Sequence, residues 1–184
     1  MNTTPVLSWS PALRLIHWLS AALIFILLPL GWWMVDLGYY DEWYHSAPLW
    51  HRSLGVYLIA LTLIRLILRL IQQRPELKGQ GWQQWAARAA HAGLYFLIGF
   101  LLISGVLMAG ADGNHIMIAG DIAIPSIAEL SASWTDRLGL WHHQASMMLL
   151  ALIVLHTAAA LKHHIVDRDD SLRRMIKANG AQDD

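Results

Sequence analysis

Two histidines, His142 and His156, lie fourteen residues apart within one apolar stretch that runs from Trp141 to about Lys162. On an α-helix each residue turns about 100° and rises 1.5 Å, so the two imidazoles leave nearly the same face about 21 Å apart along the axis. A neutral imidazole is a good ligand for heme iron, and an expensive guest in hydrocarbon unless something engages it. Two of them near opposite ends of one membrane-crossing helix predict two hemes, one above the other across a bilayer.

The chain has ten histidines. His45, His115, His163 and His164 fall in loops or at the interface, where water satisfies them. His51 and His142 begin helices entering from one side and share a depth. His17, early in the first helix, matches the depth of His156, and His91 is its rival there. Residues three and four apart share a helix face, so a macrocycle needs small side chains one turn from its ligand. Ser20 and Ala21 follow His17, Gly55 follows His51, Ala145 and Ser146 follow His142, and Ala159 and Ala160 follow His156. His91 is followed instead by Leu94 and Tyr95, and His143 points about 100° away from His142. The expected pairs are therefore His51 with His142, and His17 with His156. His91 is left to bond a loop carbonyl or to approach a quinone. Arg65, fourteen after His51, faces the bundle at the lower level and needs an anion or acceptor there, a heme propionate or a quinone carbonyl. Arg69 sits one turn nearer the interface, within reach of lipid phosphate. Arg14 and Arg52, close to ligands, could serve propionates on their own sides.

These residues need elements to carry them. Of 184 residues 56% are hydrophobic and 14% charged, against about 25% charged in soluble domains. Four stretches, about 12–34, 49–71, 87–110 and 140–163, approach the roughly 20 apolar residues that span a bilayer. The expected fold is an all-α, four-helix transmembrane bundle forming a single membrane domain over residues 1–184. The first stretch is too long for a signal-peptide core and should stay as a helix. With no cysteine, disulfides, thiolate-ligated heme, cysteine-held iron–sulfur clusters and CxxCH attachment are excluded within this chain.

Charge sets the orientation. Arg14, Arg65, Arg69, Arg74, Lys78, Arg88, Lys162, Arg168, Arg173, Arg174 and Lys177 fall on one side of such a bundle, and only Arg52 and Arg137 on the other. The positive-inside rule then puts both termini in the cytoplasm. The opposite loops carry Asp36, Asp41, Glu42, Asp112, Asp121, Glu129 and Asp136. The ten tryptophans cluster near predicted helix ends, as interfacial belts do. Ser10-Pro11 reads as a helix start, and Pro48 falls near the start of the second helix. Gln72–Trp85, with Pro75 and Gly79, is a polar turn. The segment Ala111–Arg137, with Gly113, Gly120 and Pro125, is long enough to cap the bundle. Asp169-Asp170-Ser171 can start a short surface helix through Arg173 and Arg174.

Taken together, Arg14-Leu15-Ile16-His17-Trp18, His51-Arg52-Ser53-Leu54-Gly55 with Arg65 and Arg69, Trp141-His142 with His156, and Leu161-Lys162-His163-His164 running to Asp169-Asp170-Ser171-Leu172-Arg173-Arg174-Met175 resemble the bacterial cytochrome b561 family. The resemblance covers nearly the whole chain. It implies an inner-membrane cytochrome with two b hemes, the periplasmic one on His51 and His142 and the cytoplasmic one on His17 and His156. It also implies electron exchange with the quinone pool, ubiquinone among the acceptors. Cytochrome b subunits of nickel–iron hydrogenases and formate dehydrogenases look similar in ligand arrangement.

Two histidines per iron leave no open coordination position, which suits one-electron transfer rather than oxygen chemistry. The expected function is transfer between a periplasmic donor and quinone. Two alternatives follow from the family: superoxide oxidation with ubiquinone as acceptor, and service as the membrane anchor of a multi-subunit dehydrogenase. The acidic periplasmic loops suit a donor protein with a basic patch and repel an anion such as superoxide. A heme-free transporter would require carboxylates within the spans, and these carry none. Membrane lipid is the expected surrounding, no nucleic-acid partner is expected, and pairing between chains stays open.

Overall fold

The first helix begins where its sequence provides a cap. The Ser10 hydroxyl accepts the Leu13 N–H at 3.2 Å, and Pro11, which has no N–H to lose, takes the first turn. A computed structural model describes residues 9–72, 81–119 and 122–176. It contains α1 (Pro11–Met34), α2 (Ser46–Ile71), α3 (Gly81–Ala109), β1 (Ile116–Ile118), β2 (Ile122–Ile124), α4 (Ala132–Ile165) and α5 (Arg173–Ile176). The first four α-helices are long and apolar enough to cross a membrane. They match the four expected spans and overrun three of them. Hydropathy finds only the part of a helix that lies in hydrocarbon, whereas backbone hydrogen bonding continues into the polar flanks. At 34 residues α4 is about 51 Å long, well beyond the roughly 30 Å hydrocarbon core.

The helices form two hairpins. α1 runs closely along α2, and α3 along α4; α2 touches α3 more sparsely, and α1 meets α4 at few points. Ile24, Leu27, Leu28, Leu58, Leu97, Ala145 and Leu149 make the core where the hairpins meet. Phe25, Ile67, Phe96, Ile103, Val154 and Leu155 point outward and are more than half exposed. Large apolar side chains facing away from the core along whole helices are what lipid contact requires.

The loop end of the bundle differs from an all-helical expectation. β1 and β2 pair antiparallel, Ile116 opposite Ile124 and Ile118 opposite Ile122. Strand alternation buries Ile116 and Ile118 and turns Met117 outward. The Ser53 hydroxyl of α2 accepts the Ala119 N–H at 2.9 Å, which ties this hairpin to the bundle as the cap its length allows. At the end carrying the termini, the Trp18 indole donates to the Met175 carbonyl at 2.9 Å. There α5 is no surface helix throughout, because Arg174 is buried. Lys162 and His163 pair with Asp167, and His163 also with Asp169. Arg74, Pro75, Lys78, Gly79, Gly120, Asp121 and Lys177 lie outside the described residues.

Candidate functional site

Each long helix carries three positions spaced by seven, which returns to nearly the same face every two turns. On α1 these are His17, Ile24 and Gly31; on α2, His51, Leu58 and Arg65. On α3 they are His91, Ile98 and Gly105; on α4, His142, Leu149 and His156. Because neighbouring helices run antiparallel, the twelve positions fall into three tiers. The upper tier, at the loop end, holds Gly31, His51, Gly105 and His142. The middle tier is aliphatic, with Leu58 and Leu149 buried in the core and Ile98 packed against it. The lower tier, nearer the termini, holds His17, Arg65, His91 and His156.

In the upper tier the two imidazoles face each other across the seam between hairpins, their ring centres 6.4 Å apart. Each ring lies against a glycine of its own hairpin partner. A Cβ on Gly31 would stand 2.9 Å from His51 Cε1, and one on Gly105 would stand 3.5 Å from His142 Cε1. Pro29, inside α1, removes a backbone hydrogen bond just before Gly31. His142 Nδ1 is 2.8 Å from the Ser104 hydroxyl of α3, whereas His51 Nδ1 is buried without a hydrogen-bond partner among the described residues. Arg52 donates through Nε to the Pro48 carbonyl at 3.3 Å.

The lower tier is richer in cations. His91 and His156 have ring centres 5.3 Å apart. His17 reaches the same group from α1, within electrostatic range of Arg65, His156 and His91. The His91 side chain bonds the Ala87 backbone. Arg65 and Arg69 lie over the Tyr95 ring at 5.5 and 5.0 Å from its centroid. Tyr95 thus takes both guanidinium groups on its ring. The Nε atoms of Arg14 and Arg65, Nδ1 of His17 and the Tyr95 hydroxyl are buried without hydrogen-bond partners among the described residues. Buried donors of this kind are ordinarily satisfied, so the lower tier has unused capacity for an acceptor or anion.

The upper tier fits a b-type heme. A metal–nitrogen bond of about 2.0 Å, with a ring nitrogen about 1.2 Å from its ring centre, puts two axial imidazoles about 6.4 Å apart through one iron. The observed distance between ring centres, 6.4 Å, is of that length. One turn after His51 on the same face, a Cβ on Gly55 would meet nothing within 4 Å, so there is open space beside that ring.

The sequence reading missed three residues here: Gly31, Gly105 and Ser104. Two were legible, since Gly31 and Gly105 follow His17 and His91 by the same fourteen residues that separate His142 from His156. Ser104 has no such signal, because its partner is 38 residues away on another helix.

Comparison with known proteins identifies the family. Residues 8–178 match the family described as prokaryotic cytochrome b561. The chain is 40% identical over 162 residues to "Cytochrome b561 homolog 2" of Escherichia coli strain K12, covering 87% of this chain and 86% of that one. It is 28% identical over 168 residues to "Probable superoxide oxidase CybB" of Yersinia pestis, covering 88% of this chain and 91% of the other. The chain therefore belongs to the prokaryotic cytochrome b561 family, membrane-bound b-type cytochromes of electron transport.

Proposed function

We propose that this protein moves electrons across the bacterial inner membrane between a donor in the periplasm and the quinone pool, through two b hemes. His51 and His142 would hold the upper heme and His17 and His156 the lower, with both termini in the cytoplasm. The observation that carries this reading is the 6.4 Å between the His51 and His142 ring centres, the span of two imidazoles through one iron. The shorter 5.3 Å between His91 and His156 favours His91 as a neighbour of that ligand rather than its opposite across a metal. Heme bound at these histidines would supply one-electron redox chemistry.

The chain's own part is to position and to insulate. Gly31 lets the His51 ring sit close to the backbone, and Gly55 leaves room beside His51. Arg65, paired on Tyr95 and with an unpartnered Nε, offers its charge to a propionate or a quinone oxygen in the lower tier. Arg14 would serve the lower propionates; Arg52, bonded through Nε to Pro48, keeps its terminal nitrogens for the upper ones. The middle tier of Ile24, Leu58, Ile98 and Leu149 denies water a path between the levels.

Heme quantified against protein purified from heme-replete cells should give about two per chain, with the reduced-minus-oxidised spectrum of heme b, given four axial ligands. Protein that is folded and heme-free would overturn the reading. A second reading, superoxide as the donor, is favoured by the Yersinia pestis relative and opposed by the acidic loops at the upper end. Superoxide-dependent quinone reduction by the purified protein decides between the two.

A further inference from the structure

Three buried serines handle their hydroxyl hydrogens in one way. Ser53 donates to the Leu49 carbonyl at 2.7 Å and accepts the Ala119 N–H. Ser146 donates to the His143 carbonyl at 2.7 Å and accepts the Trp32 indole N–H at 3.0 Å. In both, the neighbour can only donate, so the hydroxyl hydrogen goes to the serine's own helix. Ser104, 1% exposed, repeats the pattern: its hydroxyl lies 3.2 Å from the Leu101 carbonyl and 2.8 Å from His142 Nδ1. A hydroxyl has one hydrogen. With that hydrogen on Leu101, the His142 contact is satisfied only if His142 Nδ1 carries the proton and donates it.

We propose that Ser104 is the positioning residue of the upper heme: by accepting the Nδ1 proton it fixes the His142 tautomer, turns the Nε2 lone pair into the seam and raises the basicity of that ligand. The inference rests on the reading of His142 as an axial ligand. Among the described residues the opposite ligand has no counterpart: His51 Nδ1 has no hydrogen-bond partner there, and its ring lies against Gly31. The two ligands of one iron are thus unequal. His142 is the stronger donor, oriented by a hydrogen bond, and His51 is oriented by shape. A hydrogen bond accepted from the distal nitrogen strengthens a metal–imidazole bond and favours the higher oxidation state.

The test compares Ser104→Ala, Ser104→Thr and His142→Ala by heme content, by redox titration and by the electron paramagnetic resonance of the oxidised hemes. Ser104→Ala should raise the midpoint potential of the upper heme and move its low-spin g values, leaving the lower heme unchanged. It should also weaken retention of the upper heme by roughly 10–100-fold. Ser104→Thr, which keeps the hydroxyl, should restore the wild-type values. A Ser104→Ala protein with both hemes and unaltered upper-heme potential and g values would overturn the role of Ser104. Retention of both hemes in His142→Ala would overturn the ligand reading itself, and this inference with it.

Discussion

His51 and His142 come from different helical hairpins, yet their imidazoles meet edge-on, with ring centres 6.4 Å apart and planes inclined at 68°. Nothing in the chain joins them directly, so the pair acts as a unit only through what lies between. Removing either ligand should therefore remove the same heme. His51→Ala and His142→Ala should each cut heme content by about half, and the double variant should lose no more. Heme-to-protein ratios in the three variants check this, and additive losses would contradict it.

Two glycines give opposite predictions for one chemical change. A methyl at Gly31 would lie 2.9 Å from His51 Cε1, a distance that forces the ring to move, and among the described residues no hydrogen bond at Nδ1 keeps His51 in register. Gly31→Ala should displace the ligand and give a high-spin or missing upper heme. A methyl at Gly105 would lie 3.5 Å from His142 Cε1, ordinary contact. Gly105→Ala should keep the heme and stabilise α3 by about 0.5–1 kcal/mol, the usual gain for alanine over glycine within a helix. Absorption spectra and thermal unfolding of the two variants separate these outcomes.

The Trp18 indole is the anchor that α1 gives to α5, through the Met175 carbonyl. Trp18→Phe keeps the ring and loses the donor. It should loosen the segment around Arg173–Ile176 by about 1 kcal/mol, the net worth of one hydrogen bond. Limited proteolysis or hydrogen exchange should register faster opening there and no change in α2 or α3.

At the loop end, Asp112 sits below the usual carboxylate range because the Asn114 side-chain amide donates to it, reinforced by the Asn114 backbone N–H at 3.1 Å. A lowered folded-state value means that the turn's stabilisation is present above the ordinary carboxylate value and is lost as pH falls through the folded one. Asn114→Ala should bring the Asp112 titration back toward 3.8, measured by carbon-detected NMR. An unchanged titration would show that Asn114 does not hold the carboxylate.

The helices were readable because a membrane imposes a simple rule: stretches that bury no polar group must be about 20 residues long. The four histidines proposed as ligands stand out for a related reason, since unengaged imidazoles in such stretches are costly. The β1–β2 hairpin was not, because two three-residue strands leave no periodic trace in a loop. Ser104 escaped too, being one small polar residue among several that serve helix packing. His91 is the instructive middle case. Leu94 and Tyr95 argued against it as a ligand, and Tyr95 instead organises Arg65 and Arg69 in the tier that His91 shares. Its nearness to His156 depends on how two hairpins meet, which spacing along one helix does not encode.

The three tiers lie along the membrane normal, and that direction has an electrical meaning. A charge passing from the upper tier to the lower travels about 21 Å of a hydrocarbon core about 30 Å thick. The middle tier between the levels is aliphatic, with Leu58 and Leu149 buried. Under the proposed two-heme reading, electron transfer between the tiers would be a current through the membrane field, worth about 1.6 kcal/mol for each 100 mV across the bilayer. The resting voltage of the cell would then be a direct thermodynamic input to the direction in which the protein runs.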